Sequence, residues 1–146
     1  MSRSQLILLV EDNSDDVEIA LRAFRKSKVP SEIVVVRDGV EALDYMFASG
    51  PGAEGNTKAQ PDLILLDLKL PRVGGLEVLR RLRGEERTRR VPVVMLTSSN
   101  EERDIQASYD SGANSFVRKP VDFTQFVEVA RQIGEYWLVI NEPPPS

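Results

Sequence analysis

Residues 61–71 read P-D-L-I-L-L-D-L-K-L-P, in which four consecutive apolar residues, Leu63–Leu66, are followed by an acid, Asp67. A continuous apolar run bounded by proline predicts a strand buried on both faces, which is typical of the centre of a parallel sheet. In open α/β sheets, functional groups gather just beyond the carboxyl ends of such strands. Asp67 stands at that position and is therefore a candidate functional carboxylate.

Four more apolar runs alternate with helical patterns along the chain. They predict strands at 6–10, 33–36, 91–96 and 114–118. Apolar residues recur at helical spacing after every one of the five runs. Repeated strand–helix units indicate one α/β domain with a doubly wound, five-stranded parallel sheet and five helices.

Polar residues at the predicted starts of three helices have capping potential. Asn13 or Ser14 can cap the first helix, and Asp122 can cap the last. Ser99 and Glu102 have the spacing of a capping box for the helix that follows the fourth strand. These signals place the helix starts immediately after the predicted strand ends.

The composition excludes several classes of function. The 146 residues carry a net charge of −4 and contain neither cysteine nor histidine. Disulfides, thiolate metal sites, histidine-dependent catalysis and a role as carrier of phosphohistidine are therefore excluded. The mild acidity gives no reason to expect nucleic acid or an anionic membrane as partner. No signal peptide or apolar run of about 20 residues is present, so we expect a cytoplasmic protein.

Complementary polar groups follow four of the five predicted strands. They are Glu11, Asp12, Asp67, Thr97 and Lys119. Adjacent carboxylates raise one another's pKa unless a cation lies among them, and Mg²⁺ is the ion that best suits a few carboxylates and a phosphate. A lysine and a hydroxyl suit phosphoryl oxygens, and an aspartate can accept a phosphoryl group as an acyl phosphate. Each group alone has the plain interpretation of a helix cap or turn, but together they predict phosphoryl transfer onto a carboxylate.

The order of these motifs resembles the receiver domain of two-component response regulators. The matching pieces are L-I-L-L-V-E-D-N, L-I-L-L-D-L-K-L-P with the following G-G, V-P-V-V-M-L-T-S and S-F-V-R-K-P. The resemblance implies a flavodoxin-like fold with strand order 2-1-3-4-5. We expect a single receiver domain over 1–146 with a core at about 5–140. The proline-rich tail at 141–146 cannot continue a helix and is expected to be flexible.

The resemblance implies a phosphoacceptor and a metal site. Asp67 would accept phosphate from the phosphohistidine of a sensor histidine kinase. Glu11, Asp12, Asp67 and the backbone carbonyl of Lys69 would hold Mg²⁺. Such a protein is a signalling protein that phosphorylates and dephosphorylates itself only slowly, and it is not an enzyme with turnover.

The resemblance also implies a switch. Thr97 and Lys119 would bind the phosphoryl oxygens, and Thr97 would move towards the phosphate while Phe116 fills the vacated space. The Lys119–Pro120 peptide bond would be cis. A local charge change would thereby bias a surface formed by the fourth and fifth helices and the fifth strand.

Residues 123–140 suggest how such a signal is read. Only a short proline tail follows this last predicted helix, so we expect a stand-alone receiver whose output is a protein contact. Phe126, Ala130, Ile133 and Trp137 form one apolar stripe, and further apolar residues widen it, which favours a homodimer through this helix. The alternative is that Trp137 folds back onto its own sheet. The Y-W-containing helix and the long loop at 49–60 are similar to single-domain regulators that partner bacterial phytochromes.

Other functions remain open from the sequence alone. A Mg²⁺-dependent phosphatase with an aspartyl nucleophile would share Asp67, but such enzymes place a second acid two residues later, where this chain has Lys69. A nucleotide-binding domain would need a glycine-rich first turn instead of E-D-N-S-D-D. A receiver that only shuttles or stores phosphate is a third alternative.

The arginine-rich stretch at 80–90 is interpreted as a solvated face, with a docking patch as its alternative.

Overall fold

The computed structural model describes residues 5–47 and 60–145. Strands and helices alternate along these two segments. The elements are β1 Gln5–Val10, α1 Ser14–Ser27, β2 Ser31–Val36, α2 Gly39–Phe47, β3 Leu63–Leu66, α3 Gly75–Gly84, β4 Val93–Thr97, α4 Glu102–Asp110, β5 Ser115–Arg118 and α5 Phe123–Gly134.

The five strands form one parallel sheet in the order β2-β1-β3-β4-β5. The predicted flavodoxin-like fold with five helices is therefore confirmed. The bounds of β3 match the prediction, and those of the other four strands differ from it by one or two residues. The largest differences are that β2 begins at Ser31 and β4 begins at Val93, because pairing with neighbouring strands sets these limits.

The sheet is covered on both faces because successive strand residues point to opposite sides. Leu8, Ile64 and Met95 face one apolar cluster, which α2 and α3 complete. Ile7 and Leu65 face the other cluster, which α1 and α5 complete. The four residues of β3 are all fully buried, as their continuous apolar run predicts.

Two of the three predicted helix caps are confirmed. The Asn13 side chain accepts a hydrogen bond from the backbone of Asp16, at 3.0 Å, and Asp122 caps α5 in the same way. The predicted capping box is wrong, because α4 begins at Glu102 itself and its N-cap residue makes no side-chain cap bond. The Ser99 hydroxyl instead donates to the Asp104 carboxylate in the first turn of α4, at 2.6 Å.

The last helix changes geometry before it ends. Regular α-helix stops at Gly134, and a π-helical segment continues over Glu135–Ile140. Trp137 is half-buried and packs against the cluster shared by α1 and α5. This is the alternative in which the ring folds back onto its own sheet. The side chains of Tyr136 and Ile140 remain exposed.

One residue of the arginine-rich stretch at 80–90, Arg83, has a structural role. The half-buried Arg83 guanidinium donates to the carbonyls of Arg89, Val91 and Gly112 and to the side chain of Asn114. It therefore ties the end of α3 to the chain before β4 and before β5. Of the predicted loop at 49–60, residues 49–59 lie outside the described part of the chain.

Two remaining features are the C-terminal tail and the hydropathy of the helices. Residues 142–145 have no regular secondary structure, as the prolines predict, and Ser146 lies outside the described residues. Over the segments 5–47 and 60–145, no helix combines the length and apolarity needed to cross a bilayer.

Candidate functional site

The register of the sheet brings two acids side by side at its carboxyl edge. Val10 on β1 pairs with Leu66 on β3, so Glu11 and Asp67, the next residues on each strand, are neighbours. The backbone N–H of Asp67 donates to the carbonyl of Val10, at 3.2 Å, and continues the ladder to the strand ends. Glu11 and Asp67 are both buried, with exposed fractions of 3% and 8%.

Three carboxylates converge at this edge. One oxygen from each of Glu11, Asp12 and Asp67 can be chosen so that all three lie within 4.8 Å of one another. Asp12 is exposed, whereas the other two are buried. Clustered carboxylate oxygens that remain open to solvent on one side are the donor set that a hard divalent cation prefers. The residues present therefore fit a divalent cation.

Lys119 reaches the same acids from the end of β5. Its ammonium donates to Glu11, to Asp16 at 2.9 Å and to Asp67 at 3.4 Å. Burial opposes the charge on Lys119, but the hydrogen bonds to Glu11 and Asp16 and the charge of Asp67 outweigh burial and raise its pKa. Lys119 therefore remains charged at neutral pH.

Glu11 feels opposing effects. Its burial raises its pKa to about 7, although the hydrogen bond from Lys119 acts in the other direction. Its second oxygen accepts a hydrogen bond from the backbone of Asn13, at 3.1 Å. The side chain is thus fixed between the start of α1 and the end of β5.

The two oxygens of Asp67 have different surroundings. Oδ1 accepts a short hydrogen bond, 2.7 Å, from the backbone N–H of Leu68. Oδ2 has the longer 3.4 Å contact with Lys119. One oxygen is therefore held by the backbone, while the other faces the lysine.

An open pocket of about 510 Å³ surrounds these groups. Its walls comprise Glu11, Asp12, Asn13, Ser14, Asp15, Asp16, Asp67, Ser98 and Lys119. All the polar groups that the sequence places after β1, β3 and β5 line it, with the exception of Lys69. The pocket is wide enough for a phosphate-sized ligand and is lined by both signs of charge.

Two predicted residues, Thr97 and Phe116, are not part of the pocket wall. Thr97 is buried at the end of β4, where its hydroxyl accepts a hydrogen bond from the backbone of Ser99, at 3.4 Å. Ser98, which follows it, lines the pocket instead. Phe116 is half-buried on β5, paired with Met95 and packed on the face covered by α2 and α3.

Two further predictions concern the backbone near the site. The Lys69 side chain is exposed in the loop after β3. The predicted cis bond before Pro120 is wrong, because the described residues contain no cis peptide bond. The two isomers of a bond to proline differ little in free energy, so the sequence does not decide between them.

Sequence reasoning missed Asp16 and Ser98 as members of the site. Asp16 stands in the first turn of α1, where an acid is favourable near the positive helix end in any case, so its residue type alone does not single it out. The Asn13 cap contains the missing signal, because it fixes where α1 begins and therefore directs Asp16 towards the sheet edge. Ser98 has no local signal that distinguishes it from Thr97 or Ser99.

Comparisons with known proteins agree with this geometry. The profile of the response regulator receiver domain matches residues 7–131. The probable methanogenesis regulatory protein FilR2 of Methanothrix harundinacea is 40% identical over 139 residues, which cover 95% of this chain and 87% of that protein.

Two solved structures are close to the whole chain. The phosphorylated cyanobacterial phytochrome response regulator RcpA has a TM-score of 0.89 at 39% identity, with 98% of this chain and 100% of that chain covered. The Mn²⁺-bound form of response regulator Rcp1 has a TM-score of 0.85 at 33% identity, with 97% and 99% covered. That relative binds Mn²⁺, and the acidic cluster of this chain offers carboxylate oxygens of the kind that hold such a cation. Because the family profile matches residues 7–131 and FilR2 is 40% identical over 95% of the chain, this chain belongs to the response regulator receiver domain family.

Proposed function

We propose that this protein accepts a phosphoryl group on Asp67 from the phosphohistidine of a sensor histidine kinase. The observation that carries the proposal is the position of Asp67 in the open pocket, between the acidic cluster and the Lys119 ammonium. The chain contains no histidine, which suits the accepting partner and not the donating one.

The transfer would be a single displacement at phosphorus. The Asp67 oxygen forms a bond to phosphorus while the bond from phosphorus to the histidine nitrogen breaks, and the electron pair of that bond stays on the imidazole. Lys119 neutralises charge on the phosphoryl oxygens as they approach. Because Oδ1 is tied to the Leu68 backbone, Oδ2 is the oxygen that we assign as the nucleophile.

The cation of this reaction is proposed to be Mg²⁺. Glu11, Asp12, Asp67 and the backbone carbonyl of Lys69 would hold it. When bound, it supplies charge neutralisation between the carboxylates and the incoming phosphoryl oxygens. The buried pair of Glu11 and Asp67 and the exposed Asp12 support this assignment.

The switch would begin at Thr97. Ser98 lines the pocket and Thr97 does not, so the Thr97 hydroxyl would reach a phosphoryl group through a movement of the loop after β4. That movement would break the hydrogen bond of Ser99 to Asp104 and let Phe116 move inwards. The surface of α4, β5 and α5 would then differ between the two states.

The direct test is labelling of the acceptor. Asp67→Asn should abolish the acid-stable, base-labile phosphate that acetyl phosphate or a kinase introduces in the presence of Mg²⁺. Asp44→Asn, which removes an exposed carboxylate on α2, serves as the control and should be labelled like the wild type. Undiminished labelling of Asp67→Asn would overturn the acceptor assignment.

The partner is proposed to be a phytochrome-type sensor kinase in the cytoplasm. The structural similarity to the phytochrome response regulator RcpA supports it. FilR2, which is 40% identical in sequence, is named as a probable methanogenesis regulatory protein, so a similar degree of identity also occurs with a receiver of another regulatory role. Phosphotransfer profiling against the kinases of the source organism tests it, with a phytochrome kinase expected to react fastest. We assign no nucleic acid or membrane partner.

The chain is proposed to form a single receiver domain over 1–146, with its core at about 5–140. Its output is proposed to be a homodimer that forms through the end of the last helix. The exposed side chains of Tyr136, Val139 and Ile140 support a contact there. Because Trp137 packs against its own domain, Ile140→Ser is a sharper test than Trp137→Ala. Light scattering over a concentration series should show a dimer that Ile140→Ser weakens, and a constant monomer mass in the wild type would contradict it.

An enzymatic role is less well supported. The exposed Lys69 takes the place of the second acid of aspartyl phosphatases. We therefore propose only slow self-catalysed phosphorylation and dephosphorylation. Steady turnover of a phosphomonoester would instead favour the phosphatase. Phosphorylation that leads to no contact with a second copy or a downstream protein would favour a receiver that only shuttles or stores phosphate.

A further inference from the structure

The loop between β3 and α3 carries both Asp67 and the carbonyl of Lys69. Backbone hydrogen bonds hold its two ends: Asp67 donates to Val10, at 3.2 Å, and Gly75 donates to Leu68, at 2.8 Å. A Cβ atom on Gly75 would lie 2.1 Å from the Asp67 carbonyl, so these two backbones are in close contact. The middle of the loop, by contrast, projects into solvent at Lys69 and at Arg72.

Arg72 has an unusual backbone conformation in that exposed middle part. Its φ is 68°, in the left-handed region that a side chain other than glycine rarely adopts. A residue is held there only when the surrounding structure compensates the strain. The compensation is visible: Nε and a terminal nitrogen of Arg72 both donate to Oδ2 of Asp38, at 3.1 and 2.9 Å.

Asp38 is itself rigidly held. Its other oxygen accepts a hydrogen bond from the backbone of Glu41, at 2.8 Å, in the first turn of α2. That bond, with help from Arg72, holds the pKa of Asp38 below its ordinary value, so the pair stays charged at neutral pH. The Asp38 side chain is 12% exposed, whereas that of Arg72 is 57% exposed.

Gly39 and Val73, the residues that follow Asp38 and Arg72, are also in close contact. A Cβ atom on Gly39 would lie 2.0 Å from the carbonyl oxygen of Val73. The start of α2 and the loop after β3 therefore touch through their backbones directly beside the ion pair. The loop is therefore anchored at Arg72 and Val73, three and four residues after Lys69.

We propose that Arg72 is a positioning residue for the divalent cation site. By pairing with Asp38, it ties the middle of the loop to the start of α2 and so would restrict where the Lys69 carbonyl lies when that carbonyl joins the carboxylates in holding a cation. This role rests on the proposed function, in which Glu11, Asp12, Asp67 and Lys69 bind the cation. Arg72 itself does not line the pocket, so it would act through the loop and not by touching the cation or the phosphoryl group.

Arg72→Gly separates this role from a merely structural one. Glycine adopts the left-handed conformation without strain, so the melting temperature is expected to stay within about 3 °C of the wild type. The dissociation constant for Mn²⁺, measured by electron paramagnetic resonance of the free ion, is expected to rise by about tenfold. Amide hydrogen exchange at 69–73 is expected to accelerate.

Two further variants complete the experiment. Arg72→Lys keeps the charge but loses the fork of two donors, and its Mn²⁺ affinity should lie between those of the wild type and Arg72→Gly. Arg81→Ala removes an exposed arginine of α3 that pairs with Glu77 at 3.0 Å, and it should leave both Mn²⁺ binding and loop exchange unchanged.

The outcomes distinguish the two proposals. If the wild type binds Mn²⁺ and Asp12→Asn weakens it, while Arg72→Gly binds as the wild type does, the positioning role is overturned and the cation site stands. Unchanged exchange at 69–73 in Arg72→Gly would also overturn it. If the wild type binds no Mn²⁺, the cation site fails, and the role of Arg72 fails with it.

Discussion

Lys119 and Asp16, 103 positions apart in sequence, are joined by a hydrogen bond of 2.9 Å between their side chains. The bond connects the end of β5 to the first turn of α1, and both residues line the pocket. Asp16 therefore competes with Asp67 for the lysine that the proposed transfer needs, since the contact of Lys119 with Asp67 is the longer one, 3.4 Å.

Removing Asp16 should release Lys119 towards the phosphoryl group. Asp16→Ala is expected to accelerate labelling by acetyl phosphate about threefold, because an anionic donor also meets one carboxylate fewer. The matched control is Asp15→Ala, which removes the same charge from the pocket wall but no hydrogen bond to Lys119. Slower labelling of Asp16→Ala, near the level of Lys119→Ala, would instead mean that Asp16 holds the lysine in its working position.

Cation binding should depend on pH near neutrality. Glu11 can ligate a cation only when it is ionised, and burial raises its pKa to about 7. Protons therefore compete with the cation below that pH, and Mn²⁺ affinity should fall about tenfold between about pH 8 and about pH 6. Calorimetric titration at several pH values measures this, whereas a Glu11 with an ordinary pKa would give a nearly flat profile. In Glu11→Gln, the remaining weak binding should lose the pH dependence.

Thr97 should matter for the switch more than for the transfer. Thr97→Val keeps the buried volume but removes the hydroxyl, so labelling of Asp67 should persist while its effect on α4 is lost. Hydrogen exchange at 102–110, compared with and without phosphorylation, measures that effect. Thr97→Ser, which keeps the hydroxyl, should respond like the wild type. A full response in Thr97→Val would remove the hydroxyl from the switch.

Arg83 should contribute to stability. Its guanidinium makes hydrogen bonds of 2.7 Å to Val91 and 2.9 Å to Gly112, and its removal would leave these half-buried carbonyls unpaired. Arg83→Ala is expected to lower the free energy of unfolding by about 2–3 kcal/mol in urea titrations. Arg90→Ala, at an exposed position of the same stretch, should change it by less than about 0.5 kcal/mol. Equal effects of the two would show that Arg83 has no special structural role.

The sequence by itself determined the fold and most of the members of the site. Apolar runs such as Leu63–Leu66 and the helical spacing after them are local patterns, and alternating strands and helices allow few topologies. Because parallel strands end at one edge of the sheet, the sequence alone predicts that Glu11, Asp67 and Lys119 lie close together. The sequence also predicts the helix caps at Asn13 and Asp122, since each cap depends only on the first turn of the helix that it begins.

Only the tertiary structure decided how those members contact one another. The pairing of Lys119 with Asp16, that of Arg72 with Asp38 and the presence of Ser98 in the pocket wall depend on side-chain directions in elements far apart in sequence. The late start of α4 and the inward packing of Trp137 likewise follow from neighbours across the fold. A local pattern specifies which face a residue occupies, but the partner it finds there is set by register and packing between elements, which no single stretch of sequence contains.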